Sequence, residues 1–139
     1  MEQGEGRAEG PKVVLIVEDE HDNREIMRAV VEDLLGYKAL VAGDGARALQ
    51  LVDDIRPDVI LMDLMMPVLD GFAAIRELKS SYATSAIPII AVTALGRPSD
   101  KAQALQHGAN AYLTKPFDLD LLAEMIERYA TGGAHAGEV

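Results

Sequence analysis

Carboxylates, a hydroxyl and an ammonium recur in this sequence at one kind of place, the end of a short apolar run. Glu18-Asp19-Glu20 follows residues 13–17, Asp63 follows 59–62, Thr93 follows 88–92, and Lys115-Pro116 follows a short run at Tyr112-Leu113. Carboxylates gathered together repel one another. A hard divalent cation relieves that repulsion and takes oxygen ligands, which suits magnesium. A carboxylate can also act as a nucleophile and form an acyl phosphate. A phosphoryl group in transfer needs positive charge around its oxygens. Magnesium supplies one such charge and Lys115 the other, and Thr93 can donate a hydrogen bond to a phosphoryl oxygen.

These groups work together only if their strands lie side by side. Residues 13–17 predict a buried strand. Asp22-Asn23-Arg24-Glu25 then has the form of a capping box, and Ile26, Met27, Val30, Val31, Leu34 and Leu35 recur at helical spacing before Gly36 stops the helix. Residues 37–41 predict a weaker second strand. Asp44-Gly45 opens a helix that ends before Pro57, and 59–62 is the third strand. Asp70-Gly71 leads into a third helix, 88–92 is the fourth strand, and Ser99 or Asp100 starts a helix ending at Gly108. Asp118 caps a last helix with Leu122, Met125, Ile126 and Tyr129 on one face. Five strands alternating with five helices predict an α/β fold, a doubly wound parallel sheet covered on both sides. Such a sheet places its working residues outside the carboxyl ends of its strands, where all four groups fall.

Composition narrows the function classes. At 139 residues, one domain is the default. The net charge of −10 repels nucleic acid phosphates and anionic membrane surfaces, so neither is expected as a direct partner. Cysteine is absent, compatible with a reducing cytoplasmic setting. No apolar run approaches a membrane span, and the Gly- and Glu-rich start lacks the apolar stretch of a signal peptide. Residues 1–11 read as a disordered leader and 132–139 as a flexible tail around one domain over 12–131.

Four motifs carry a resemblance. Glu18-Asp19, the ten residues from Met62-Asp63 through Asp70-Gly71, Ala91-Val92-Thr93-Ala94, and Tyr112-Leu113-Thr114-Lys115-Pro116-Phe117 resemble the marker motifs of response regulator receiver domains. An acidic pair alone is weak evidence. All four motifs, in order and at the ends of alternating strands, are strong evidence. The resemblance covers roughly residues 12–130 and implies a flavodoxin-like sheet of order 2-1-3-4-5. It implies that Asp63 accepts a phosphoryl group from a histidine kinase or phosphotransfer protein. It implies a Mg2+ ion held by Asp19 and Asp63, by Glu18 through water, and by the backbone carbonyl of Met65. Lys115 and Thr93 would engage the phosphoryl group, Tyr112 would turn inward behind Thr93, and Lys115-Pro116 would be cis. The chain would then catalyse its own aspartyl phosphorylation, without being a conventional enzyme, and would switch a surface that docks a downstream protein. Met65 and Leu95 flank the water route in this family, and their apolar side chains imply slow self-dephosphorylation.

Taken singly, each residue also has a structural reading. Asp63 fits a turn, Thr93 a strand end, Lys115 a solvated surface and Tyr112 half-buried packing. Asp70-Gly71 reads as helix-start chemistry, Glu20 as a solvated neighbour, and Met62, Met65 and Met66 as core and loop packing. His21 reads as an exposed helix-entry residue, His107 as a helix-end residue and His135 as part of the tail. Other classes fit less well. A haloacid-type phosphatase wants a second Asp where Met65 stands, a flavodoxin wants a hydroxyl-rich loop where Glu18-Asp19-Glu20 stands, and a non-phosphorylated module on this fold would have lost a pocket residue. Only ten residues follow Tyr129, so a stand-alone, chemotaxis-type receiver is favoured over one cut from a larger regulator or hybrid kinase. A docking surface is expected around the first helix, including Arg24 and Arg28.

Overall fold

The computed structural model describes residues 10–66, 68 and 70–132. Most of the expected leader, most of the tail with His135, and Pro67 and Leu69 lie outside the described residues. The elements alternate as expected: β1 (Val13–Val17), α1 (His21–Ala29), β2 (Lys38–Ala42), α2 (Gly45–Ile55), β3 (Val59–Met62), α3 (Gly71–Ser80), β4 (Ile89–Thr93), α4 (Pro98–His107), β5 (Ala111–Thr114) and α5 (Leu119–Ala130). The strands form one parallel sheet in the order β2-β1-β3-β4-β5. Val17 pairs with Ala42 and Met62, Met62 with Ala91, and Ala91 with Tyr112. The carboxyl ends of the strands are therefore in line, and the groups that follow them share one edge.

Apolar runs form these strands because both faces of the sheet are covered. Leu15, Val17, Ile60, Met62, Ile89 and Ala91 pack with Ala48, Val52, Ile75, Leu78 and Ala104 of α2, α3 and α4. Val14, Ile16, Val59, Leu61, Ile90 and Val92 pack with Met27, Val30, Val31, Leu122 and Ile126 beside α1 and α5. Alternate residues of one strand thus enter opposite cores. Each large side chain so buried contributes about 1.5–3 kcal/mol of transfer free energy. This rigid double core fixes the strand ends.

Helix starts match the sequence at Asp44, Asp70 and Asp118, whose side chains accept from Arg47, Ala73 and Asp120 backbone N–H groups. Two starts differ. Helix α1 begins at His21, and its cap is Glu20, whose extended backbone lets the carboxylate accept from Asn23 N. Asp22 lies inside the first turn, so the expected box at Asp22 falls two positions past the observed cap at Glu20, and Glu20 is more than a solvated neighbour. Helix α4 begins at Pro98, where a missing N–H is harmless, with Arg97 as its cap. Helix α1 also continues as a π-helical turn over Val30–Leu34 before Gly36, at φ 70°, ends it.

The amino ends of β4 and β5 are tied by a half-buried polar node. Lys79 Nζ, at the end of α3, donates to Ser85 O (3.1 Å), Ile87 O (2.9 Å) and Asn110 Oδ1 (3.0 Å). Asn110 Oδ1 also accepts from Ile89 N at 2.9 Å, and Asn110 O accepts from the Tyr129 hydroxyl at 3.1 Å. Burial without a carboxylate among these partners pushes the Lys79 ammonium below its ordinary range.

Candidate functional site

Three of the four strand-end groups come together as expected. Glu18 and Asp63 are buried and Asp19 is exposed, and one carboxylate oxygen from each lies within 4.8 Å of the others. Lys115 Nζ sits between two of them, donating to Glu18 Oε1 at 2.7 Å and to Asp63 Oδ2 at 3.0 Å. The other Asp63 oxygen, Oδ1, accepts from Met65 N at 3.1 Å. The peptide bond between Lys115 and Pro116 is cis, as the resemblance implied.

Backbone bonds hold these side chains in place. Glu18 N donates to Ala42 O, Asp63 N to Val17 O, and Lys115 N to Thr93 O, each at 2.8–3.0 Å. Gly71 sets the height of the β3–α3 loop. A Cβ at that position would lie 2.2 Å from Asp63 O and 2.6 Å from Leu64 Cα, so only glycine admits this approach. The Asp70-Gly71 pair therefore starts a helix and also seats the backbone of Asp63.

Electrostatics at the site run in two directions. Burial raises the Glu18 carboxyl above its usual range, the Asp63 charge adds to this, and the hydrogen bond from Lys115 opposes it. Burial would lower the Lys115 ammonium, but its hydrogen bonds to Glu18 and Asp63 and their charges outweigh burial and raise it. Lys115 is therefore the fixed positive charge of the pocket. Three carboxylates against one ammonium leave two negative charges in excess. Hard oxygen donors with that charge fit a divalent cation such as magnesium.

Thr93 and Tyr112 stand beside this cluster. Thr93 is fully buried at the end of β4, and its hydroxyl accepts from Leu95 N at 3.3 Å. The half-buried Tyr112 hydroxyl donates to Leu95 O at 2.5 Å, so both residues grip the same loop residue. Burial raises the Tyr112 hydroxyl, with the charges of Asp100 and Asp63 adding to it. Sequence reasoning missed the next contact. Arg97 Nε and Nη2 grip the buried Asp100 carboxylate at 3.1 Å each, fastening the β4–α4 loop to the helix start. The Arg-Pro pair ahead of Asp100 was the available signal.

The remaining residues fall largely where the sequence put them. Met62 is core and Met66 packs against the core, but Met65 is 56% exposed and packs little. His21 is exposed at the start of α1, 3.4 Å from Arg24, and His107 ends α4 edge-on to Phe72. Arg24 and Arg28 are not free cations. Arg24 reaches Glu18 O at 3.4 Å, and Arg28 lies 3.5 Å from Glu25 and 3.6 Å from Glu32. Beside them Ile26, Ala29, Val30, Asp33, Leu34 and Leu119 line an apolar groove.

Comparison with known proteins gives a consistent picture. The model of the response regulator receiver domain matches residues 14–127. The polar-differentiation response regulator DivK of Brucella anthropi is 37% identical over 119 residues, covering 86% of this chain and 96% of DivK. The transcriptional regulator RpaA of Synechocystis is 37% identical over 115 residues, but there 83% of this chain spans only 46% of the relative. The receiver domain of the sensor histidine kinase PA1611 of Pseudomonas aeruginosa, solved with magnesium coordinated in its active-site cleft, superposes with a TM-score of 0.80 at 36% identity. That superposition covers 88% of this chain and 99% of the PA1611 domain.

Proposed function

The chain belongs to the response regulator receiver domain family, and from that membership we propose that Asp63 accepts a phosphoryl group from a phosphohistidine donor. The observation that carries this reading is the contact of Lys115 Nζ with Asp63 Oδ2 inside a cluster of three carboxylates. An Asp63 oxygen forms the new O–P bond as the donor's P–N bond breaks and its electron pair returns to the imidazole. Lys115 then moves its hydrogen bond from the carboxylate to a phosphoryl oxygen, and the Thr93 hydroxyl turns from Leu95 N to donate to another. Asp19, Asp63, Glu18 and the Met65 carbonyl are the groups proposed to hold Mg2+. The bound ion supplies charge neutralisation at the phosphoryl oxygens.

Movement of Thr93 alters the Leu95 loop, which Tyr112 also holds, and so biases the surface of α4, β5 and α5 toward a protein target. Exposed Met65 and half-buried Leu95 offer no polar group to orient water, which supports a long-lived acyl phosphate. Residues 12–131 form the receiver unit in this reading. The donor, a histidine kinase or phosphotransfer protein, docks near α1, and the protein works in the cytoplasm. No helix among the described residues is long and apolar enough to cross a membrane. Incubation with acetyl phosphate and Mg2+, followed by intact mass, tests the reading. Wild type gains one phosphate and Asp63→Asn gains none; equal uptake by both overturns it.

A further inference from the structure

We propose that Gly96 is the hinge of the β4–α4 loop, set between a half of the loop held by the sheet and a half held by the helix. The loop runs from Thr93, which ends β4, to Arg97, which caps α4. On the near side the sheet holds Leu95. Its N–H donates to the Thr93 hydroxyl at 3.3 Å, and its carbonyl accepts from the Tyr112 hydroxyl. On the far side the helix holds Arg97. Its Nε and Nη2 donate to the Asp100 carboxylate at 3.1 Å each, and its backbone N–H donates to Asp100 Oδ2 at 3.3 Å. Gly96 is exposed and stands between the two grips.

Nothing in the conformation seen requires glycine at this position. At Gly71 a Cβ would meet Asp63 O, and Gly36 has φ 70°, so both are glycines by necessity. Gly96 has neither reason. Its φ lies outside the left-handed region, and a Cβ there would meet Thr114 Cγ2 at 3.5 Å, an ordinary contact. Glycine raises the entropy of the unfolded chain, and this conformation draws no benefit from it in return. A second loop conformation, in which Gly96 takes backbone angles closed to other residues, does. When Thr93 turns to a phosphoryl oxygen, Leu95 N loses its acceptor and the near half of the loop rearranges. A bend at Gly96 allows this while the Arg97 grip stays closed. Opening that grip instead would leave the Asp100 carboxylate, 5% exposed, without its cation.

The proposal rests on Asp63 as phosphoacceptor, which wild-type phosphate uptake tests separately. The hinge itself is tested with Gly96→Ala, and Gly43→Ala is the control. Gly43 is an exposed glycine of the β2–α2 loop with open space around its Cβ position and φ outside the left-handed region. Melting temperature, affinity for the phosphoryl mimic beryllofluoride with Mg2+, and NMR signals of the Leu95 amide and Arg97 Nε–H are measured on the full chain. Both variants are expected to melt at or slightly above wild type, because alanine lowers the entropy of the unfolded chain. Gly43→Ala is expected to bind beryllofluoride as wild type does. Gly96→Ala is expected to bind it at least about fivefold more weakly, because alanine penalises the bent conformation that the mimic selects. In wild type the Leu95 amide signal should shift on binding while the Arg97 Nε–H signal persists. Equal binding by the two variants, a Gly96→Ala protein that melts well below wild type, or loss of the Arg97 signal on binding each overturns the hinge. A wild type that takes neither phosphate nor beryllofluoride defeats the reading of Asp63 first, and the hinge with it.

Discussion

Two half-buried lysines mark the two ends of this sheet, and they are held in opposite ways. Lys115, beyond the carboxyl ends of the strands, lies between the carboxylates of Glu18 and Asp63, and its ammonium is raised. Lys79, at the amino ends, gives its three protons to two carbonyls and an amide oxygen, and its ammonium is lowered by burial. A cation among anions can exchange one anionic partner for another without leaving a buried group bare. A cation among fixed neutral acceptors is a clasp, because moving it strands several carbonyls at once. One end of the molecule is built for exchange and the other for hold, and the rigid core between them keeps the two apart.

The largest expected effect breaks the exchanging end. Lys115→Met should slow phosphorylation of Asp63 by about a hundredfold, the usual loss when one donor to a developing charge is removed. A phosphorylation rate within a few-fold of wild type would remove Lys115 from the chemistry. Gly71→Ala comes next. Its Cβ would meet the Asp63 carbonyl at 2.2 Å, so the loop beneath the site must shift. Overpacking of this kind costs about 1–3 kcal/mol, and the shift should slow phosphorylation as well, read as a lower melting temperature and a lower rate together.

Lys79→Met tests the holding end and should give the reverse pattern. The Ser85 and Ile87 carbonyls lose their donor, which should destabilise the fold by about 1–3 kcal/mol while the phosphorylation rate of the folded protein stays at wild type. A rate that fell with stability would couple the two ends.

The smallest effect is in pH. Lys79 binds its proton less tightly folded than unfolded, so wild type should gain stability relative to Lys79→Met as pH rises toward the ordinary lysine value of about 10.5. Lys115 binds its proton more tightly folded. Its contribution is fully present below about 10.5 and is lost only as pH passes through its raised value, so wild type against Lys115→Met should stay level across the same range. Parallel urea series from neutral to alkaline pH check both signs.

The exchanging end was legible in the sequence and the holding end was not. Asp63, Thr93 and Lys115 each end an apolar run, and a parallel sheet lines such ends up, so periodicity alone collected them. Lys79 looks like any helical surface lysine, because its partners are main-chain oxygens and an asparagine 31 residues away. Tertiary packing, which no local pattern encodes, makes it a clasp. The same limit hid the Arg97–Asp100 grip and the Glu20 cap: both depend on a backbone turn whose register the helical period does not fix. Motif matching placed Glu18 among metal groups, and only the distances show that it also accepts from Lys115 Nζ and Glu20 N.

The central claim is that Asp63 forms the acyl phosphate. Borohydride reduces a phosphoaspartate to homoserine, so the phosphorylated protein can be reduced, digested and mapped by mass spectrometry. Homoserine is expected at Asp63 and at no other acidic residue. Homoserine at Asp19 or elsewhere, with Asp63 unmodified, would contradict the account.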